Sequence, residues 1–196
     1  LVAPNDTTLL NLECEAPREG DWAKLEVSRM PGVNLNKNLD YLRYYPHGCS
    51  EQVTSRGFPL LYVHNFRPFT DKEKELIDKM IKEAIQILTS RQMGDGGIMY
   101  WPGNRYPNEW VTSYAGHFLV EAKRAGRDVP ESVITKWKQF QKKAAQTWSR
   151  SDIYQTYYTY SMYDLQQSYR LYTLALAEEP ELGAMNRRKE MAGLSA

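Results

Sequence analysis

Apolar residues recur every three or four positions along most of this chain, which is the spacing of amphipathic helices. The clearest case follows Thr70, a good N-cap, and has seven apolar positions on one face: Leu76, Ile77, Met80, Ile81, Ala84, Ile85 and Leu88. The pattern predicts a short helix around Leu35, Leu39 and Leu42 that stops at Pro46, and a second helix over about 49–65 with a kink at Pro59. The helix that follows Thr70 starts at 71 and ends before a Gly-rich break at 94–97, and the next runs over 109–125 and ends at Gly126. Pro130 is the predicted first residue of a further helix, and two more helices follow over 164–178 and 180–191.

Residues 1–30 show a different pattern, with partial alternation at 7–14 and 23–28 and turn residues at 17–21 between them. We interpret residues 1–30 as the β-strand remnant of a neighbouring domain and residues 31–196 as a helical domain. Helices joined by short loops pack as antiparallel hairpins. The predicted fold class is therefore mainly α, an assembly of helical hairpins with a short N-terminal β segment. Because the chain starts at Leu1 rather than Met, we expect a fragment or a processed product.

Composition and charge exclude several classes of protein. The 196 residues are 42% hydrophobic and 25% charged, which is typical of a folded domain rather than a disordered chain. A formal net charge of +1 gives no electrostatic reason to expect nucleic acid as a partner. No apolar stretch is long enough to span a bilayer. The two cysteines, Cys14 and Cys49, could pair, but two cysteines do not define a disulfide framework.

The octet Tyr45-Pro46-His47-Gly48-Cys49-Ser50-Glu51-Gln52 carries the strongest chemical signal. Pro46 and Gly48 predict a tight turn that leads into a helix, and residues three apart share a face of that helix. The Cys49 sulfur can therefore reach the side-chain carbonyl of Gln52. A helix N-terminus favours thiolate, the form that would attack the amide and displace ammonia. The product would be an internal thioester, an acylating group stored inside the fold.

A stored thioester needs protection from water, and aromatic side chains are the candidates for that shield. The candidate shielding residues are Tyr44, Tyr45, Tyr100, Trp101, Trp110 and Tyr114, although each alone is more often an ordinary core or surface aromatic. His47 is close enough in sequence to tune the thiol, whereas His117 suits a satisfied core histidine. We interpret Glu51 as a first-turn partner of the helix dipole. The histidine and cysteine spacings match no common metal pattern, and no cofactor motif occurs.

Residues 45–52, with Thr54-Ser55-Arg56 and Phe58-Pro59-Leu60-Leu61-Tyr62 after them, resemble the thioester region of the bacterial alpha-2-macroglobulins. That family has the approximate pattern Tyr-Pro-x-Gly-Cys-x-Glu-Gln-Thr-Thr-Ser and then Phe-Pro-x-Leu-Tyr. Further segments that resemble the family are Gln92 with Asp95-Gly96-Gly97, then Tyr100-Trp101-Pro102-Gly103, the stretch from Trp110 to Ala115 with Phe118-Leu119 and Glu121-Ala122, and residues 169–177 and 180–187. The resemblance covers most of residues 31–196.

The resemblance implies a thioester domain over 31–196 with an α/α toroid fold, a ring of helical hairpins shared with terpenoid cyclases. In that family a protease cleaves a bait region elsewhere, and the thioester then acylates a lysine of the protease. It follows that Cys49 would supply the sulfur and Gln52 the acyl group, with Gly48 and Glu51 at fixed motif positions. The expected protein is a broad-spectrum endopeptidase inhibitor rather than an enzyme, needs no cofactor, and has target proteases and the other domains of its parent as partners.

Two further expectations come from the same resemblance. Bacterial relatives are periplasmic and often lipid-anchored, so we expect a periplasmic or cell-envelope location, with the membrane reached only through an anchor on the parent. About 165 residues are short for such a toroid, so some hairpins would be missing. Complement-type relatives use a toroid histidine to take over the acyl group. Residues 154–172 contain no histidine, which favours direct attack by amines.

Two other functions stay open. The first is a helical interaction module whose thioester never forms or has been hydrolysed. The second is a terpene-cyclase-like toroid enzyme, because Gln92 to Trp101 resembles the Gln…Gly…Trp motif of those enzymes. Such cyclases need an aspartate-rich acid or metal motif, whereas the aspartates of the helical part are isolated. The mass of the intact chain separates the thioester from both alternatives.

Overall fold

Six α-helices make up most of the part of the chain that the computed structural model describes, which is 48–65, 68–149 and 157–190, with side chains from 163 onward in the last range. They are α1 (Ser50–Leu60), α2 (Asp71–Ser90), α3 (Glu109–Arg124), α4 (Glu131–Thr147), α5 (Tyr157–Leu176) and α6 (Leu182–Glu190), with a 3-10 turn at Val63–Asn65. The mainly α prediction is confirmed. The predicted N-terminal β segment and the helix before Pro46 lie outside the described residues.

The helices form two layers. Side chains of α1 meet side chains of α3 that lie 59 residues later at three places along the pair: Glu51 with Trp110, Ser55 with Tyr114, and Tyr62, just beyond α1, with Glu121. A constant offset means that α1 and α3 run parallel. Helix α5 packs against α3 on the other side, while α2 packs on α1 and α4 packs on α3 and α5. This alternation of α1, α3 and α5 with α2 and α4 is the hairpin order of the predicted toroid.

The core lies between these layers. Helix α2 buries six of its seven predicted positions, and Leu76 is half-buried. Thr70 caps α2 by accepting from the Glu73 N–H, as predicted. At the closest approach, Trp137 of α4 lies on Gly116 of α3: a Cβ at Gly116 would be 1.9 Å from the indole Nε1. Only glycine allows this contact, and the indole N–H donates to the Thr112 carbonyl at 2.8 Å.

Several helix boundaries differ from the sequence prediction. Helix α1 includes Pro59 and ends one residue after it, at Leu60, where the chain tightens as Leu61 and Tyr62 donate three residues back. Pro130 was predicted as the first helical residue of α4, whereas it is the N-cap and the helix begins at Glu131. Helix α5 begins at Tyr157 rather than 164. Gly126 does end α3, with φ +76°, and the Arg127 N–H reaches the Ala122 carbonyl.

Within the described ranges, none of the helices combines the length and the apolar character that a membrane crossing requires.

Candidate functional site

Cys49 and Gln52 face each other across the first turn of α1. Cys49 is the N-cap residue, is 3% exposed and is a free cysteine. The Gln52 side chain bends back so that its Oε1 accepts from the Cys49 N–H at 3.0 Å. In return the Cys49 side chain lies at the Gln52 N–H, which gives the reciprocal arrangement of a capping box. The sulfur and the carboxamide therefore belong to one closed turn.

Gly48 provides the space that this turn needs. A Cβ at Gly48 would lie 2.8 Å from the Gln52 Cβ and 3.0 Å from its Oε1, closer than real Cβ contacts allow. Arg91, the C-cap residue of α2, fixes the Gly48 carbonyl. Its Nη1 donates to this carbonyl at 3.0 Å and to Ser50 Oγ at 3.2 Å. The glycine of the motif is thus explained by packing: Gln52 folds onto the backbone just before the cysteine.

The loop between α2 and α3 is tied to the start of α1. The Ser50 N–H donates to the Tyr100 carbonyl at 2.9 Å, and its hydroxyl donates to the Met99 carbonyl at 2.6 Å. Gln92 fixes the same loop, because its amide donates to the carbonyls of Gly96 and Val133. Gln92 and Gly96 of the Gln…Gly…Trp pattern thus hold this loop in place. These ties bring Tyr100 beside Cys49.

Glu51 anchors two aromatic side chains next to the cysteine. Tyr100 Oη donates to one carboxylate oxygen at 3.1 Å, and Trp110 Nε1 donates to the other at 3.1 Å. Our interpretation of Glu51 as a helix-dipole partner was therefore incomplete. Its partners are 49 and 59 residues away in sequence, and the only signal for them was the fixed glutamate of the family motif.

Hydrogen bonds and burial set the electrostatics around the sulfur. A hydrogen bond with the Cys49 thiol and a second with Glu51 raise the pKa of Tyr100 above its ordinary value. Burial lowers the pKa of Arg91, while the nearby Cys49 works in the opposite direction. The Tyr100 hydroxyl and the Arg91 guanidinium are thus two groups whose pKa Cys49 influences.

The other candidate shielding residues differ in position. Trp110 stacks on Tyr114 with ring centroids 5.8 Å apart and packs on Tyr169 at 5.4 Å. Trp101 is 49% exposed and packs on Tyr100. Gln52 is exposed, so these aromatics flank the turn without enclosing the amide. Tyr44, Tyr45, Pro46 and His47 lie outside the described residues, and the shield stays a prediction.

A cleft of about 300 Å³ continues from this aromatic group along α1, lined by Phe58, Pro59, Tyr114, His117 and Tyr169. His117 Nδ1 is 2.8 Å from the Tyr169 hydroxyl, and burial lowers its pKa. This agrees with the interpretation of His117 as a satisfied core histidine. Among the residues that the structure describes, no group of three or more His, Cys, Asp or Glu side chains could hold a metal ion.

A second polar cluster fixes the N-terminal end of α3. Arg170 is 1% exposed and donates to Gln141 Oε1 at 2.9 Å, Gln167 Oε1 at 2.6 Å and Glu109 Oε2 at 2.9 Å. Glu109 directly precedes Trp110, so the buried guanidinium joins α4 and α5 to the helix start that presents Trp110 to Glu51. Sequence reasoning missed this cluster because no local pattern marks a buried arginine.

No protein-family model matches the chain. Several curated relatives do, among them the following two. The alpha-2-macroglobulin homolog of Yersinia pestis is 37% identical over 111 residues, which cover 55% of this chain and 5% of that protein. Thioester-containing protein 1 (allele R1) of Anopheles gambiae is 25% identical over 138 residues, which cover 67% of this chain and 10% of that protein. The chain thus spans at most 10% of the length of these two relatives.

Solved structures agree with the sequence relatives. Salmonella alpha-2-macroglobulin reacted with methylamine matches with a TM-score of 0.68 and 27% identity over 82% of this chain and 11% of that one. Trypsin-activated alpha-2-macroglobulin from Escherichia coli matches with a TM-score of 0.59 and 26% identity over 74% of this chain and 10% of that one. In sequence and in helical arrangement this chain is similar to one short segment of the bacterial alpha-2-macroglobulins, which supports its being a fragment of a protein of that kind.

Proposed function

We propose that this chain is the thioester domain of an alpha-2-macroglobulin-like protease inhibitor. In this proposal Cys49 and Gln52 condense with loss of ammonia, and the resulting thioester acylates lysine amines of a protease once and is not regenerated. One observation carries the proposal: the exposed Gln52 carboxamide is folded back onto Gly48 and held at the N–H of the buried Cys49. The domain would act as a covalent trap rather than as an enzyme.

Three relatives support the proposal, two because of the compounds or proteases they reacted with and one because of its name. One solved relative was reacted with methylamine, a small amine of the kind that opens thioesters. Another was activated by trypsin, a protease. A more distant relative is named for a thioester. By the same kinship we propose a periplasmic or cell-envelope location, with the other domains of a parent macroglobulin as partners and a lipid anchor on that parent as the link to a membrane.

The mass of the freshly purified chain tests the proposal. A closed bond makes the chain one ammonia lighter than its sequence and leaves Cys49 without a titratable thiol. Methylamine should then add at Gln52 and release that thiol. Cys49→Ala is the matched control and should show neither the deficit nor the addition. An unmodified wild-type mass together with a free Cys49 thiol would contradict the proposal for this chain.

One observation favours the second candidate, an interaction module without a working bond. Gln52 is an exposed residue, so water lies close to the group that the thioester would use. Hydrolysis would leave a free Cys49 thiol and a glutamate side chain at position 52. Peptide mapping distinguishes this state, because a hydrolysed bond leaves residue 52 as glutamate whereas a bond that never formed leaves it as glutamine.

A further inference from the structure

We propose that the aromatic cleft beside α1 binds an alkylammonium group, the charged end of a second lysine on the protein that Gln52 acylates. The inference rests on the proposed function, because it names the surface that the thioester domain would select. That surface carries two lysine amines about 10 Å apart, one that reaches Gln52 and one that enters the cleft. The cleft itself belongs to the fold, so its ligand is testable without the thioester.

One exposed face of α1 connects the reacting glutamine to the cleft. Gln52, Ser55 and Pro59 are exposed, and their spacing of three and seven residues places them on the same face of the helix. Pro59 also lines the cleft. At a rise of about 1.5 Å per residue, the stretch of α1 from Gln52 to Pro59 spans about 10 Å. A partner that lies along this face therefore reaches both places at once.

Aromatic rings form the walls of the cleft. The ring centroids of Phe58 and Tyr114 are 6.0 Å apart, and the His117 ring lies 4.8 Å from Phe58 and 5.8 Å from Tyr169. Aromatic rings attract a cation within about 6 Å of their centroids, so one ammonium group in the cleft can contact several rings. The volume of about 300 Å³ is about ten times the share of one water molecule in the liquid, which leaves room for the end of a lysine side chain.

The residues that line the cleft carry no charge near neutral pH. Burial lowers the pKa of His117 and raises the pKa of Tyr169, so the imidazole and the phenol both stay neutral. Their polar ends are already used, because His117 Nδ1 lies 2.8 Å from the Tyr169 hydroxyl. The Tyr114 hydroxyl likewise lies 3.2 Å from Ser55 Oγ. The cleft thus presents aromatic rings to a cation without a positive charge that would repel it.

Two charged residues act on His117, and they neutralise each other. Glu121 accepts from Tyr62 Oη at 2.6 Å and from Arg124 Nη1 at 3.2 Å. Arg124 Nη2 also donates to the Leu176 carbonyl, so this guanidinium is held by other partners. The aromatic rings rather than a carboxylate therefore supply the attraction for a cation in the cleft.

An ammonium group suits this cleft better than an uncharged apolar side chain. The four rings that line it are half-buried, so the cleft is open and a bound ammonium group keeps water on its outer side. The proposed reaction consumes primary amines, and one solved relative was reacted with methylamine, which is a primary amine. Lysine is the side chain that carries this group, so a second lysine of the same partner is the occupant that we infer.

A titration of the Cys49→Ala chain, which forms no thioester, tests the ammonium site by itself. The probe is n-butylammonium chloride, 1-butanol is its uncharged match, and the readout is the NMR shifts of the rings of Phe58, Tyr114 and Tyr169. We expect saturable shifts with n-butylammonium and binding about 3- to 30-fold tighter than that of 1-butanol. Equal affinity for the two probes would indicate an apolar site, and no shift with either would indicate no site. Each of these results would overturn the proposal.

The rate of thiol release in the wild-type chain tests whether the cleft selects the amine. 1,8-Diaminooctane carries its two amines about 10 Å apart and so reaches Gln52 and the cleft together, whereas n-octylamine ends in a methyl group. We expect the diamine to open the bond about 3- to 30-fold faster per amine group, and Phe58→Leu to lose this advantage. Tyr106→Leu is the matched control and should keep the advantage, because Tyr106 is 79% exposed on the loop between α2 and α3.

The outcomes separate this inference from the proposed function. Equal rates per amine group for the two compounds in the wild-type chain would show that the cleft selects nothing, while the thioester proposal stands. A diamine advantage that persists in Phe58→Leu at an unchanged melting temperature would place the second ammonium group elsewhere and overturn the inference. If the wild-type chain shows no ammonia deficit, the proposed function fails, and the titration with n-butylammonium still decides the ammonium site. The titration also decides it if Phe58→Leu folds poorly.

Discussion

Replacing Gly48 by alanine should push apart the two groups of the proposed bond. The new Cβ would lie 2.8 Å from the Gln52 Cβ, whereas ordinary contact begins at 3.4 Å, so Gln52 has to retreat by about 0.6 Å. A displacement approaching 1 Å from the reacting geometry costs about 10²-fold in rate, and we expect closure to slow by roughly 10- to 10²-fold. Losing the hydrogen bond from the Cys49 N–H to Gln52 would cost about 0.5–1.5 kcal/mol of stability.

The assay follows the disappearance of the titratable Cys49 thiol, and the loss of one ammonia from the chain mass, after refolding from urea. Gly94→Ala is the matched control, because a Cβ at Gly94 meets nothing within 4 Å. Both variants replace a glycine by alanine, so a difference between their closure rates reports the contact with Gln52. Equal closure rates in Gly48→Ala and Gly94→Ala would refute the idea that packing of Gln52 on Gly48 sets the reacting geometry.

Three further predictions concern stability. Arg170→Met leaves the buried Gln141 and Gln167 oxygens without their donor, and we expect the free energy of unfolding in urea to fall by about 2–4 kcal/mol; an unchanged value would show that the buried cluster is not stabilising. Gly116→Ala forces Trp137 off α3 and should cost about 3 kcal/mol or more in the same measurement, while a wild-type midpoint would contradict the close approach. Burial lowers the pKa of His117, so below about pH 6.5 the unfolded chain binds more protons than the folded chain. The free energy of unfolding should therefore fall as the pH drops below that value, and His117→Asn should flatten this dependence. Identical pH profiles of the two chains would contradict a role of His117 in the pH dependence.

The sequence predicted correctly those helices whose limits and buried faces are set by residues close together in the chain. Helix α2 has its cap at Thr70 and its buried face where the apolar spacing placed them. The start of α5 was missed because its first turns are rich in tyrosine, a residue with an apolar ring and a polar end that gives no clear face. The end of α1 was missed because a proline allows either a kink or a stop, and tertiary contacts decide between them.

The site was predictable only in part, because some of its contacts join residues that lie far apart in the sequence. The spacing of Cys49 and Gln52 is a property of one helical turn, and the structure brings the Gln52 carbonyl oxygen to the backbone N–H of Cys49. The partners of Glu51 depend on how the loop after α2 folds back onto α1, which no single-sequence pattern encodes. The exposure of Gln52 depends in turn on everything that packs around α1, including residues outside the described ranges, so the aromatic shield stays a prediction.

The 59-residue separation between Glu51 and Trp110 has a consequence for synthesis on the ribosome. Cys49 and Gln52 leave the ribosome well before Tyr100 and Trp110, the residues that complete their surroundings. At about 5–20 residues per second, translation of the intervening stretch takes on the order of 3–12 seconds. During this interval the nascent cysteine lacks the neighbours that would prepare it for condensation. An acylating group would therefore arise late, in a nearly finished domain, and the growing chain would be spared reaction with the amines of the translation machinery.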